Sequence, residues 1–206
     1  MLIWAGFLLI LLGACCVAID RPAAHYFYDH IPGPTHRFLD SITHWAKAGH
    51  WLAAAGLALL LSWGALHIWR GNDQLWLASR CALAFILSLG LGSAILHLIK
   101  LVLGRRRPRD DMEMRLYGFV PFAFDTSYNS FPSGHALTIT CVAVVMCCVW
   151  PLLWPLWFAI ALILGLTRAL LTAHFLSDVF IGAGIGMIAA REIILHFFPV
   201  LPPHWF

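Results

Sequence analysis

Charged side chains are scarce in this 206-residue chain, in which Asp, Glu, Lys and Arg together make up only 11% of the residues. Soluble domains carry roughly a quarter of such residues, so the composition excludes an ordinary soluble enzyme or binding module. Residues 126–167 contain none of the four charged types, and 61% of the whole chain is hydrophobic. The sequence therefore predicts an integral membrane protein.

The chain also lacks the patterns of several common sites. No metal-ligand spacing joins its six cysteines to nearby histidines, so we interpret the cysteines as packing residues without a disulfide framework. The glycines at 182–186 follow no strand, which favours close helix packing over nucleotide binding. We expect no metal, no cofactor and no nucleic-acid partner, and the sequence leaves the oligomeric state open.

Long apolar runs are what the sequence has instead. Runs of about twenty residues can cross a bilayer as a helix, and they predict an all-α bundle of six transmembrane helices in a single domain, residues 1–206. The predicted spans cover residues 2–19, 48–69, 75–99, 135–150, 156–172 and 178–198. The polar connection at 20–47 is rich in aromatic residues that suit a headgroup boundary, so we expect an interfacial helix there.

The first apolar run has a second interpretation. Leu12, Gly13, Ala14 and Cys15 resemble a lipoprotein cleavage box, and cleavage there would remove the segment and attach lipid to Cys15. The run lacks the basic residues that begin a secretory signal. We expect it to be kept as the first helix.

Three polar blocks stand out against this apolar background. They are Lys100 with Arg107-Pro108, then Pro132-Ser133-Gly134-His135, then Thr167-Arg168 with His174 and Asp178. Six crossings would place the loops at 100–135 and 173–178 on the same side of the membrane. All three blocks are therefore expected to face one compartment.

The residue types in these blocks suit the binding of a phosphate group. Phosphoryl transfer spreads negative charge over three oxygens, and Lys100, Arg107 and Arg168 would supply three cations, two of them forked guanidinium groups. Ser133 and the Gly134 N–H would add neutral donors at the start of a helix, where the helix dipole favours an anion. Such a set would replace a metal ion, so a metal-independent site is expected.

A histidine–carboxylate pair completes the pattern. His174 and Asp178 are four residues apart, a spacing that brings two side chains to one face of a helical turn. A carboxylate that accepts one imidazole N–H leaves the other ring nitrogen free to act as a nucleophile. Taken singly, each block has a structural alternative, namely interfacial anchors for Lys100 and Arg107 and a helix-end pair for His174 and Asp178. Arg168 is harder to explain structurally, since an arginine in an apolar span is costly.

The order and spacing of the three blocks resemble the tripartite signature of the type 2 phosphatidic acid phosphatase (PAP2) family. The motifs cover residues 100–178, and the six-helix layout extends the resemblance over nearly the whole chain. The visible departure is Thr167, where the family usually has serine. The resemblance implies that His174 attacks phosphorus and forms a phosphohistidine, that Asp178 orients it, and that His135 is the acid for the leaving group.

The same resemblance implies a membrane-embedded phosphatase for a lipid phosphate or diphosphate. Undecaprenyl diphosphate, phosphatidylglycerol phosphate, phosphatidic acid and the lipid A phosphates are candidate substrates, and nothing in residues 1–99 discriminates among them. A lipid phosphotransferase would use the same residues with an acceptor hydroxyl in place of water. A vanadate-dependent oxidant and a non-enzymatic scaffold or channel are two further possibilities.

Two expectations conflict on the side of the membrane that the site faces. Ten Lys and Arg residues fall on the motif side of the six-span layout and three on the other, which by the positive-inside rule places the site in the cytoplasm. Bacterial members of the family generally carry it on the periplasmic face. We follow the family and expect an inner-membrane protein with a periplasmic site.

The remaining polar residues receive no catalytic role. The charges around the first block are expected to form a solvated run, with recognition of a second phosphate or a headgroup as the alternative; they are Arg105, Arg106, Arg109, Asp110, Asp111 and Glu113. The histidines outside the motifs are not assigned to the site; they are His25, His30, His36, His44, His50, His67, His97, His196 and His204.

Overall fold

The computed structural model describes residues 1–203 and 205–206, apart from the side chain of Thr126. Most of this part of the chain is helical. The α-helices are α1 (Leu2–Cys16), α2 (Asp20–His30), α3 (Gly33–Thr43), α4 (Ala48–Ile68), α5 (Asp73–Val102), α6 (Pro108–Met114), α7 (Gly134–Val149), α8 (Trp154–Leu170) and α9 (Leu176–Phe197). The strands are β1 (Leu103–Arg105) and β2 (Phe119–Pro121), and short 3₁₀ turns lie at His44–Ala46, Thr126–Tyr128 and Pro151–Leu153.

Helix boundaries follow local sequence signals. Asn72 caps α5 by accepting hydrogen bonds from the backbone N–H groups of Gln74 and Leu75 at 3.0 and 3.1 Å, as short polar side chains commonly do at helix starts. Proline lies in the first turn of α3, α6 and α8, where its missing N–H has no intrahelical partner to lose. The polar segment after α1 forms two helices, α2 and α3, where one interfacial helix was expected.

The described residues contain four helical segments that are long and apolar enough to cross a membrane, namely Gly33–Ile68, Asp73–Val102, Pro151–Leu170 and Leu176–Phe197. Helices α1 and α2 would together form a fifth, although they bend by 80° at the break between them. Helix α7 is apolar but only 16 residues long. The chain is therefore a mostly helical membrane protein, and the count of six spans stays a prediction.

The prediction of a mostly helical fold is confirmed, but the long connection between α5 and α7 also contains a short sheet that the sequence did not indicate. There β1 and β2 form a two-stranded antiparallel sheet in which Leu103 pairs with Pro121 and Arg105 with Phe119, and α6 lies between the strands. Strands of three residues are too short to show the alternation that identifies a strand in a sequence. The sheet holds β2 close to the end of α5, because β1 follows α5 directly in the chain.

Helix α9 lies at the centre of the bundle, in contact with α1, α5 and α7. A Cβ atom at Gly182 would lie 2.4 Å from the carbonyl oxygen of Ser133, and one at Gly186 would lie 2.6 Å from that of Leu137. Only glycine allows the two helices to approach this closely, which confirms the interpretation of these glycines as packing residues. The contact places the Ser133 turn directly on the first half of α9.

Candidate active site

The three sequence blocks converge at one end of the bundle. Lys100 lies in the last turn of α5, and Arg107 directly precedes α6. Ser133 caps α7, which begins with Gly134 and His135, and Arg168 lies in the last turn of α8. His174 lies just before α9, and Asp178 lies in its first turn. Electrostatic interactions connect these groups across the elements. The imidazole of His135 interacts with Arg107, Arg168 and His174, and that of His174 interacts with Lys100 and Arg168.

The side chains of His174 and Asp178 face each other, although they do not share a helical turn. Helix α9 begins at Leu176, and the backbone N–H of His174 instead donates to the carbonyl of Arg168 at 3.1 Å. Nδ1 of His174 lies 3.6 Å from Oδ2 of Asp178 and 3.5 Å from Oγ of Ser130. Because Nδ1 faces this polar cluster, Nε2 is the ring nitrogen on the opposite side.

His174 is only 5% exposed. Burial lowers the pKa of its imidazole below the ordinary value, since the charged form is poorly solvated there, and Arg168 and Lys100 act in the same direction against the opposing effect of Asp178. The imidazole is therefore neutral near pH 7, which is the form with a free electron pair on nitrogen.

The carboxylate of Asp178 is fully buried and held by three donors. Its Oδ1 accepts from Nη1 of Arg105 at 2.7 Å. Its Oδ2 accepts from Oγ of Ser130 at 2.6 Å and from the backbone N–H of Phe175 at 2.9 Å. An acidic side chain in the first turn of α9 also interacts favourably with the positive end of the helix dipole. These contacts hold the carboxylate in one orientation beside His174.

Arg105 contradicts the expectation of a solvated charge run, because its side chain has no exposed area. Besides Asp178, its guanidinium donates to Oγ of Ser177 at 2.7 Å and to Oδ2 of Asp20 at 2.8 Å. It also lies 4.0 Å above the ring centre of Phe175. Nothing in a run of three arginines indicates which of them is buried, so only the fold could identify Arg105.

Asp111 is a second exception to the solvated run, at 3% exposure. Its carboxylate accepts from Arg21 at 2.9 and 3.0 Å and lies 3.2 Å from Nε2 of His25. Both partners are on α2, so α2 docks onto α6 through this cluster. Among the other histidines without a predicted role, His204 lies outside the described residues.

Several polar atoms on the second and third blocks are buried without a hydrogen-bond partner among the described residues. They are Oγ of Ser133, Nε2 of His135 and Nε of Arg168. Leaving a buried polar group unpaired costs about 1–3 kcal/mol. A bound oxyanion would relieve this cost at Ser133 and Arg168, which carry donors, and at His135 when its Nε2 carries a proton.

Lys100 and Arg107 complete the positive side of the site. Nζ of Lys100 donates to the carbonyl of Asn129 at 2.6 Å and interacts electrostatically with Asp178 and Arg107. Burial and the neighbouring Arg109 lower the pKa of Arg107, but a guanidinium begins so high that it stays protonated. A cavity of about 650 Å³ lies beside Lys100 and Asn129.

Thr167, the departure from the family pattern, keeps the contacts that a hydroxyl allows. Its Oγ1 donates to the carbonyl of Leu164 at 2.6 Å and lies 2.9 Å from Oγ1 of Thr43. Nη1 of Arg168 also donates to Thr43, at 3.4 Å. Thr43 ends α3, so the polar connection before α4 contributes a contact to Arg168 that the sequence did not indicate.

A family model described as the PAP2 superfamily matches residues 81–200, which is more than half of the chain. The chain belongs to the PAP2 superfamily. The family predicted from the three polar blocks is thereby confirmed. The matched range includes all three blocks of this PAP2 chain.

Curated relatives of this PAP2 chain include Lipid A 1-phosphatases from Rhizobium johnstonii and Rhizobium etli, each 33% identical over 90 residues. The match covers 44% of this chain and 37% and 39% of those two proteins. It therefore spans well under half of the length of either relative.

Two solved structures share the fold. The first is the PAP2-type phosphatidylglycerolphosphate phosphatase from Bacillus subtilis, with a TM-score of 0.64, 19% identity and 96% of both chains covered. The second is LpxE from Aquifex aeolicus, with a TM-score of 0.59, 19% identity, and 86% of this chain and 96% of that one covered. The likeness in fold thus extends beyond the motifs to nearly the whole bundle.

Proposed function

We propose that this PAP2 protein is a membrane phosphatase that removes phosphate from a lipid phosphate or diphosphate through a phosphohistidine on His174, without a metal ion. One observation carries the proposal. The buried His174–Asp178 pair lies at the same end of the bundle as the unpartnered polar atoms of Ser133, His135 and Arg168. A nucleophile and a set of groups suited to an oxyanion are thus brought together by different helices.

In the first step, Nε2 of His174 attacks phosphorus, and a P–N bond forms as the P–O bond to the leaving group breaks. His135 donates its proton to the departing oxygen. The leaving group is the lipid alcohol when the substrate is a lipid phosphate, and the lipid monophosphate when it is a diphosphate. Asp178 keeps the Nδ1 proton in place and balances the positive charge that develops on the ring. Lys100 and the two site arginines stabilise the charge on the three phosphoryl oxygens.

In the second step, water attacks the phosphohistidine on the side opposite to His174. His135, which is now neutral, accepts a proton from that water and thereby regains the form that it had before the reaction. The P–N bond breaks, inorganic phosphate is released, and the electron pair returns to Nε2 of His174. The Gly134 N–H and Ser133 hydroxyl provide neutral donors for the phosphoryl oxygens in both steps.

An apolar cavity supports a lipid as the substrate. It has a volume of about 680 Å³, lies between α1, α7, α8 and α9, and is lined near the site by Ala136, Gly165 and Val179. Ala136 follows His135 and Val179 follows Asp178 in the sequence, so the cavity begins beside the proposed reaction centre. An acyl chain of the substrate would occupy it while the phosphate lies against the polar residues.

Lipid A 1-phosphate is the first substrate to test, because the curated relatives are named Lipid A 1-phosphatases. Phosphatidylglycerol phosphate, phosphatidic acid and undecaprenyl diphosphate complete the panel. We further propose six spans (α1, α4, α5, α7, α8 and α9) in a bacterial inner membrane, with the site on the periplasmic face.

The decisive experiment measures phosphate release by the purified protein, reconstituted in lipid nanodiscs, over this panel of lipids. His174→Ala is expected to lower kcat by at least about 10³-fold, as loss of a nucleophile does, while His196→Ala, an exposed histidine on α9, serves as the matched control. Activity is expected to persist in chelator. Retained activity in His174→Ala, or loss of activity in chelator, would overturn the proposed mechanism.

Covalent trapping tests the intermediate separately. After rapid quenching with a ³²P-labelled substrate, wild-type protein should carry an acid-labile, base-stable phosphoryl group that is absent from His174→Ala. Adding a lipid alcohol as acceptor then separates hydrolysis from phosphotransfer. Release of inorganic phosphate in preference to a new phosphoester identifies a phosphatase.

A further inference from the structure

We propose that Arg105 is a positioning residue for the reaction, acting through Asp178 on His174, and that Asp20 on α2 acts with it. The proposal rests on the function assigned to His174 above. The three residues Asp20, Arg105 and Asp178 are called the acid–arginine–acid triad below. None of them is expected to touch the substrate except through His174.

The triad is completely enclosed, since its three side chains are 0% exposed. One guanidinium lies between two carboxylates, at 2.8 Å from Oδ2 of Asp20 and 2.7 Å from Oδ1 of Asp178. Ser177 joins Asp20 to Arg105, because its hydroxyl contacts Asp20 and accepts from Nη1 of Arg105 at 2.7 Å, and its backbone N–H donates to Oδ1 of Asp20 at 3.0 Å. Removing any member would leave a buried charge without its partner, which proteins tolerate poorly.

The two oxygens of Asp178 have separate partners, and this division connects Arg105 to the reaction centre. Oδ1 accepts from Arg105, whereas Oδ2 accepts from Ser130 at 2.6 Å and faces Nδ1 of His174 at 3.6 Å. Rotation of the carboxylate would break the Arg105 contact together with those of Ser130 and the Phe175 N–H. Arg105 is therefore the donor to Oδ1 that helps to keep Oδ2 facing the histidine.

The backbone of Arg105 reinforces the same geometry. Its carbonyl accepts from the backbone N–H of Ser130 at 3.0 Å, and Ser130 is the residue whose hydroxyl contacts Asp178. The guanidinium also lies 4.6 Å above the ring centre of Phe119 and 4.0 Å above that of Phe175, cation–π distances that restrict its movement. One residue thus ties β1, the turn before α7 and the start of α9 into a single arrangement.

Asp20 extends this arrangement to α2, a helix without a motif residue. Its carboxylate neutralises the side of the guanidinium that faces away from Asp178. Because a planar guanidinium binds two carboxylates at once and an ammonium offers no such fork, arginine is required at this position. Lysine would keep the charge but lose one of the two acids.

The test compares Arg105→Met and Arg105→Lys with Arg106→Met, a matched control on the adjacent arginine, whose guanidinium instead contacts Tyr128. Phosphate release and single-turnover formation of the phosphohistidine are measured with one lipid substrate. A 1 Å misplacement of a reacting group can cost about 100-fold, so Arg105→Met is expected to lower kcat about 10- to 100-fold with KM changed by less than about threefold. Arg105→Lys should recover part of kcat, and Arg106→Met should behave as wild type.

Asp20→Asn keeps the proposal testable where Arg105→Met does not fold, since it retains the contact between Arg105 and Asp178. It is expected to lower kcat about three- to tenfold at constant KM, with thermal unfolding showing that the protein is folded. Folded Asp20→Asn or Arg105→Met with wild-type kcat, or with a loss confined to KM, would overturn the positioning role. Inactive wild-type protein would instead refute the proposed function itself.

Discussion

The contact between Gly182 and the Ser133 turn leads to a prediction about how tightly the site depends on helix packing. Replacing Gly182 with Ala places a Cβ atom 2.4 Å from the carbonyl oxygen of Ser133, whereas ordinary contact begins at about 3.4 Å. The three nearest atoms all belong to the backbone of Ser133, so no flexible side chain can move aside. The turn and α9 must therefore separate by about 1 Å, the difference between those two distances.

Two costs follow from this separation. Overpacking of a close contact destabilises a protein by about 1–3 kcal/mol. The movement also separates Ser133 and His135 from His174 and Asp178, and a displacement of about 1 Å at a reacting group can lower the rate about 100-fold. We expect Gly182→Ala to unfold at a lower temperature and to lose kcat about 10- to 100-fold.

Gly90→Ala on α5 is the matched control, because nothing lies within 4 Å of a Cβ built there. Ala is favoured over Gly inside a helix by about 0.5–1 kcal/mol, so this variant should be as stable as wild type or more so. Thermal unfolding in detergent and phosphate release from the best lipid substrate measure both effects. Equal stability and activity for Gly182→Ala and Gly90→Ala would refute the packing argument.

Three other predictions concern the site chemistry and its location. Burial lowers the pKa of His174 below its usual value of 6.5, so in the proposed mechanism protonation blocks attack only at a lower pH. The acidic limb of kcat/KM, corrected for substrate ionisation, should therefore have its midpoint below pH 6.5. A midpoint above pH 6.5 would contradict this. Ser130→Ala removes a donor to Asp178 and should lower kcat about tenfold with little change in KM, as loss of a supporting hydrogen bond does; an unchanged kcat would show that Ser130 is dispensable. Met114→Cys and Leu152→Cys, at two exposed positions, report on the motif side and on the opposite side of the membrane. Met114→Cys should react with an impermeant reagent in intact spheroplasts, whereas Leu152→Cys should react only after lysis. The opposite pattern would place the site in the cytoplasm.

The charges before α6 show where reasoning from sequence succeeds and where it fails. Lys100 and Arg107 can be identified because their spacing matches a motif, and a motif can be recognised from the sequence without knowledge of the fold. Arg105 lies between them and its sequence context indicates solvent, yet it is enclosed by Asp20, Asp178 and three aromatic rings. A short run of like charges has no periodicity, so it carries no information about which member is buried.

The polar connection at 20–47 shows the same limit. Its composition predicts an interfacial helix, but it gives no reason to connect Asp20 with Ser177 or Thr43 with Arg168. Those contacts join residues 157 and 125 positions apart in the chain. Only the packing of α2 and α3 against the ends of α8 and α9 brings them together.

The sequence by itself determined the membrane class, the approximate helix positions and the motif residues, because hydrophobic run length and motif spacing are local properties of the chain. The tertiary structure decided which nitrogen of His174 faces Asp178, which arginine is buried, and which residues of α2 and α3 support the site. These features depend on contacts between distant segments, in which each buried charge has an opposite charge or a hydrogen-bond partner. Such contacts leave no local pattern in the sequence from which they can be read.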